Sequence, residues 1–117
     1  MGFPQQLEVQ EVVRDGVHRL MLSGELDLAS APLLEEAVNS LDGEGISAVV
    51  LDLSRLSFMD STGVRATLDT RELCEQRGYR FSLVPGPAQV QRLFELTGLL
   101  DVLPFGPDGD TDGVGHS

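Results

Sequence analysis

Tryptophan is absent from this chain, and one tyrosine and five phenylalanines are its whole aromatic complement. An aliphatic core of Leu, Val and Ala is therefore expected, and stacking of nucleobases on aromatic side chains is not. Basic residues are also scarce, 8 against 19 acidic ones, for a formal net charge of −11. A phosphate backbone would be repelled, which argues against nucleic acid; a protein partner with a basic surface suits this charge better. Cysteine occurs once, at Cys74, which rules out an internal disulfide and a cysteine metal cluster and points to a reducing compartment. No run approaches the roughly 18 apolar residues of a membrane span. The opening "MGFPQQLEV" lacks the charged and apolar regions of a signal peptide, and Gln6 stands where myristoylation wants Ser or Thr. A cytoplasmic protein is expected, with no membrane partner.

What is present suits one domain: 117 residues can bury a core without disulfides or metal. "LEVQEVVRDGVHRLMLSGEL" reads as two strands around Asp15-Gly16, a dipeptide that tolerates positive φ in a tight hairpin. Ser30 is placed to cap a helix with Pro32 in its first turn and Leu34, Ala37, Val38 and Leu41 along one face, ended by Gly43 or Gly45. Residues 46–53, "ISAVVLDL", are continuously apolar and short, the pattern of a central strand covered on both faces. A helix from Thr62 to about Gln76 places Val64, Thr67, Leu68, Arg71 and Cys74 on one side and stops at Gly78. "YRFSLV" supplies a further strand. "GPAQVQRLFELTGL" supplies a helix with Val90, Leu93, Phe94 and Thr97 inward and Gly98 as its stop, and "LDVLPF" a last short strand. This order predicts an α/β domain over residues 1–105, with a mixed sheet that opens on an antiparallel hairpin and carries helices packed on it. The Gly- and Asp-rich residues 106–117 read as a disordered acidic tail.

The informative stretch is "FMDSTG", residues 58–63, where the central strand gives way to a helix. Open α/β sheets tend to bind ligands at such strand ends. Read locally, Asp60 or Ser61 caps the helix, worth about 1 kcal/mol. The same position would display a serine hydroxyl to a docked enzyme. A phosphate there would add roughly 1.5 to 2 negative charges beside Asp60, leaving the fold intact but not a buried interface.

"GELD" at 24–27, "VVLDLSRLSFMDSTGV" at 49–64 and "VQRLFELTGL" at 90–99, in this order and spacing, resemble the STAS domain of bacterial anti-sigma factor antagonists, over about Leu7 to Phe105. The resemblance implies a non-enzymatic phosphoprotein of transcription regulation that works by partner switching. Ser61 is the implied phosphoacceptor for a serine kinase of the histidine-kinase-like ATPase type, which is itself the anti-sigma factor. The unphosphorylated antagonist binds that kinase and frees the sigma factor, and a metal-dependent serine phosphatase regenerates it. Asp27, Asp60, Ser61, Thr62, Gly63 and Arg65 are the implied partner-binding residues, with Gly63 permitting close approach of the partner. Arg65 departs from the small residues common at its position, which makes it a candidate for specificity or for pairing with a phosphate on Ser61. The same fold also serves as a structural subunit of lipid-transport or stress-signalling assemblies, the alternative reading.

Other patterns are weaker. Asp108, Asp110, Asp112 and Gly113 copy the first half of a calcium loop, but the required bidentate acid is missing, so a solvated acidic tail is expected. His18 and His116 have no second ligand at metal spacing. Ser61 lacks a G-x-S-x-G frame, and neither glycine-rich nucleotide motif occurs. No cofactor, metal or catalytic residue is expected, and Cys74 reads as a small core residue.

Overall fold

In the computed structural model, residues 6–41 and 45–106 are described. The chain runs through β1 (Glu8–Arg14), β2 (Val17–Leu26), α1 (Ala31–Asn39), β3 (Ala48–Met59), α2 (Ser61–Arg77), β4 (Arg80–Val84) and α3 (Ala88–Leu96). The strands form one sheet in the order β1-β2-β3-β4, with β1 antiparallel to β2 and the remaining neighbours parallel. This is the expected α/β arrangement. The hairpin turns on Asp15 and Gly16, at φ 53° and 81°.

Cross-strand partners share a sheet face, so Leu20, Leu51 and Leu83, aligned across β2, β3 and β4, point the same way. They meet Leu34 and Val38 of α1, Val64 and Cys74 of α2, and Val90 and Phe94 of α3 in one aliphatic core. Each such side chain contributes about 1.5–3 kcal/mol on full burial. Phe94 meets Phe105 edge-on, ring centroids 5.2 Å apart. On the opposite face the Arg19 guanidinium donates to Asp52 Oδ2, from Nη2 at 3.0 Å and Nε at 3.3 Å, and the Ser54 N–H donates to Asp52 Oδ1 at 2.9 Å. Burial opposes the charge on Asp52, but Ser54 and Arg19 outweigh it and hold the carboxyl below its ordinary value.

Several elements differ from expectation. β3 continues past Leu53 to Met59, through residues that sequence periodicity does not mark as strand. It is buried without interruption from Ala48 to Leu53 and then shows two exposed pairs, Ser54-Arg55 and Ser57-Phe58, because the register against β2 shifts twice. Helix α1 ends at Asn39, with Ser40 as its C-cap, ahead of both proposed glycines; Gly43 lies outside the described residues. Ser30 occupies the N-cap position, yet its side chain makes no capping bond to the helix. On α2 the buried set is Gly63, Val64, Ala66, Thr67, Thr70 and Cys74; Leu68 and Arg71 are half-buried, and Arg71 Nε reaches Glu75 at 3.5 Å. Thr97 is exposed, its hydroxyl donating back to the Leu93 carbonyl. The last strand reduces to one bridge, Leu83 to Phe105. Gly106, first residue of the expected tail, still donates its N–H to the Leu83 carbonyl at 2.9 Å. The rest of that tail, with the calcium-like acids and His116, lies outside the described residues.

Candidate functional site

β2 and β3 run parallel, so their C-terminal ends share one rim of the sheet. Leu26 and Met59 are the last paired residues and both point inward, 0% and 7% exposed. The Asp60 N–H then donates to the Leu26 carbonyl at 3.3 Å, which ties the start of α2 to the end of β2. Asp27 and Asp60 thereby follow the same aligned pair.

Asp60 is the N-cap of α2. Its Oδ1 accepts from the Thr62 N–H at 2.9 Å and the Gly63 N–H at 3.3 Å, so two of the free amides of the first turn are satisfied by one carboxylate. Of the two candidates for the cap, the acid takes the role and the serine does not. Ser61 is the first helical residue and is exposed; among the described residues its hydroxyl has no hydrogen-bond partner. Thr62 is half-buried behind it.

Gly63 has a different position from the one the resemblance implies. It is buried and faces the core: a Cβ added there would lie 2.4 Å from Met59 Cγ and 3.1 Å from Leu26 Cγ. The missing side chain lets α2 close down on the ends of β2 and β3, rather than admitting a partner from outside. Arg65 is exposed one turn beyond Ser61, with its Nε 3.8 Å from Asp69 Oδ1.

Asp27 closes the β2–α1 turn. Its Oδ1 accepts the Ser30 N–H at 3.0 Å, while the Asp27 N–H donates to Ser30 Oγ at 2.9 Å and the Ser30 hydroxyl reaches the Glu25 carbonyl at 2.8 Å. This reciprocal clasp is what occupies Ser30 in place of helix capping. The structure thus brings Asp27, Asp60, Ser61 and Thr62 to one rim, sets Arg65 on the adjoining helix surface and turns Gly63 inward. Two further residues of the same rim are not marked by the sequence motifs: Leu28, 76% exposed, and Phe58, 44% exposed. Leu28 follows the "GELD" acid directly, but the exposure of Phe58 depends on a register shift that no local pattern announces.

Among the described residues, no cluster of three or more His, Cys, Asp or Glu side chains is placed to hold a metal ion, and no helix is long and apolar enough to cross a membrane. The rim displays the Ser61 hydroxyl beside the capping carboxylate of Asp60.

The STAS domain family model matches residues 8–111. The anti-sigma-B factor antagonist of Staphylococcus epidermidis is 30% identical over 97 residues, 83% of this chain and 90% of that protein. The crystal structure of an anti-sigma factor antagonist from Mycobacterium paratuberculosis superposes with a TM-score of 0.78 at 30% identity, covering 92% of this chain and 91% of that one. The anti-sigma factor antagonist SpoIIAA in its unphosphorylated form shares the fold, with a TM-score of 0.68 at 23% identity over 86% of this chain and 87% of that one. The chain belongs to the STAS domain family, among the anti-sigma factor antagonists.

Proposed function

We propose that this chain binds an anti-sigma factor that is also a serine kinase, that binding frees the sigma factor, and that phosphorylation of Ser61 ends the association. The observation that carries the reading is the exposed Ser61 hydroxyl on the first turn of α2, which has no hydrogen-bond partner among the described residues. The kinase supplies nucleotide, metal and base, so this chain acts as substrate and binding partner rather than catalyst. A serine phosphatase of a separate chain reverses the step.

The local electrostatics favour a switch over a structural phosphate. A helix N-terminus usually stabilises a phosphate through its free amides. Here the Thr62 and Gly63 amides are already engaged by Asp60, so a phosphate on Ser61 meets a carboxylate where it would otherwise find donors. Its charge stays at the surface, on a chain of net charge −11. Docking of the partner would then strip water from an ion with too few compensating bonds, at a cost of several kcal/mol. Asp27, Asp60, Thr62 and Arg65 border the contact, and Gly63 serves it by holding α2 against the sheet.

Incubation with the cognate anti-sigma kinase and ATP should add one phosphate, located on Ser61 by tandem mass spectrometry, and Ser61→Ala should abolish it. Undiminished phosphate in the alanine variant overturns the assignment.

A further inference from the structure

The rim around Ser61 exposes two large apolar side chains that the fold itself holds outward. Phe58 owes its exposure to a bulge. Gly24 pairs with Leu56 and Glu25 with Phe58, so Ser57 is an extra residue on β3. In a regular strand Phe58, two residues on, would share the face of buried Leu56; the bulge at Ser57 turns Phe58 outward and Met59 inward. The bulge is pinned from both sides. The Ser57 hydroxyl donates to the Gly24 carbonyl at 3.1 Å, and the Ser57 carbonyl accepts from Gln89 Nε2 at 2.8 Å. Gly24 itself sits at φ 95°, a backbone setting that side chains resist.

Leu28 is displayed by different means. It is the residue after Asp27, inside the reciprocal bonds between Asp27 and Ser30 that fix the turn. At 76% exposure it is the most exposed large apolar residue among those described. Single exposed apolar residues need no explanation, but two on rigid backbone at one rim, beside a displayed serine, form an anchor. Acidic side chains border them: Glu25 pairs with Phe58 across the strands, and Asp27 and Asp60 stand at the two strand ends.

We propose that Phe58 and Leu28 are the apolar anchors of the partner interface, seating against an apolar surface of the anti-sigma kinase that is edged with arginine or lysine side chains. This rests on the function proposed above and names the chemistry of the contact. Charge complementarity selects this occupant: an acidic border excludes a second copy of the same strongly acidic chain and attracts a basic edge.

The test uses calorimetry with the cognate anti-sigma kinase, titrated with the full chain and its Phe58→Ser, Leu28→Ser and Val13→Ser variants. Val13 is 56% exposed beside the hairpin, at the opposite rim, and serves as the control. Each anchor variant should raise Kd about tenfold or more, as expected of hot-spot truncation, and Val13→Ser should leave it within about twofold. At saturating concentration the kinase should still place one phosphate on Ser61 of every variant, so that KM rises while kcat is kept; this also reports that the variants are folded. Kd values within about twofold of the parent for both anchor variants overturn the proposal. A parent chain that binds the kinase but takes no phosphate on Ser61 overturns the switch instead, and the anchors are still judged by Kd.

Discussion

Arg65 stands one helical turn beyond Ser61 on the exposed side of α2, and its guanidinium Nε lies 3.8 Å from Asp69 Oδ1. Both side chains of that pair are largely in water, 79% and 54% exposed, so the pair is worth only a few tenths of a kcal/mol and is easily surrendered. A phosphate on Ser61 would offer Arg65 a stronger partner at the same i,i+4 spacing. The cation favours the dianion and lowers the second phosphate pKa from its usual value near 6. Phosphorus NMR titration of the phosphorylated chain should show that pKa rising by a few tenths of a unit in Arg65→Ala. Identical titration curves would show that Arg65 ignores the phosphate.

The double duty of Asp60 toward the Thr62 and Gly63 amides makes two linked expectations. Asp60→Ala should lose about 1 kcal/mol of stability in urea unfolding, and Asp60→Asn less, because the amide oxygen still accepts. Phosphorylation of Ser61 should then stabilise Asp60→Ala relative to its unphosphorylated form, since the vacated amides can serve the phosphate. The parent should gain less. Equal shifts of Tm in the two backgrounds would mean that the carboxylate does not compete with the phosphate.

Gly63→Ala should destabilise the domain by roughly 1–3 kcal/mol, because the new methyl would meet Met59 Cγ at 2.4 Å. Met59 is unbranched and can partly yield, but Leu26 Cγ stands behind it at 3.1 Å. In a double-mutant cycle with Met59→Ala the combined loss should fall short of the sum, since each change relieves the other. Additive losses would place the strain elsewhere.

The limits of sequence reading show at the same residues. Asp15-Gly16 announced its hairpin because backbone preference acts locally, and Gly78 ends α2 at φ 78° for the same reason. The sequence signal for β3 ends at Leu53 because the continuous apolar run stops there, and beyond it two register shifts against β2 leave exposed pairs that fit no strand period. The inward role of Gly63 and the outward turn of Phe58 both depend on how β2 lies beside β3, which no window of residues encodes. Ser30 looks like a cap by type and place, yet its hydroxyl accepts from the Asp27 N–H and donates to the Glu25 carbonyl instead. The start of α2 at Asp60-Ser61 is legible because a strand end followed by a capping residue leaves a compact local trace. Which of them caps depends on side-chain geometry: the Asp60 carboxylate reaches the Thr62 and Gly63 amides and the Ser61 hydroxyl does not.

Cys74 is fully buried, and burial pushes its thiol up to about 11, with Arg77 opposing only weakly. Since the thiolate is the reactive form, native protein should resist iodoacetamide and dithionitrobenzoate at neutral pH. Labelling should appear with unfolding, and its rate should track the fraction unfolded across a urea series. Rapid labelling in native buffer would place the thiol at the surface of α2.

Asp52 contributes to the acid limb of stability. Its folded pKa lies below the ordinary 3.8, because Ser54 and Arg19 outweigh the opposing effect of burial. A depressed carboxylate binds its proton more weakly when folded than when unfolded, so its contribution is fully present above the unfolded value and is lost as pH falls through the folded one. Asp52→Asn should therefore cost on the order of 1.5–3 kcal/mol at neutral pH, the worth of its charged hydrogen bonds. The gap between variant and parent should hold down to about pH 4 and close below it. Urea midpoints measured from pH 7 down to about pH 2.5 test this directly, and a gap that stays constant through the acid range would show that Asp52 is not held below its ordinary pKa.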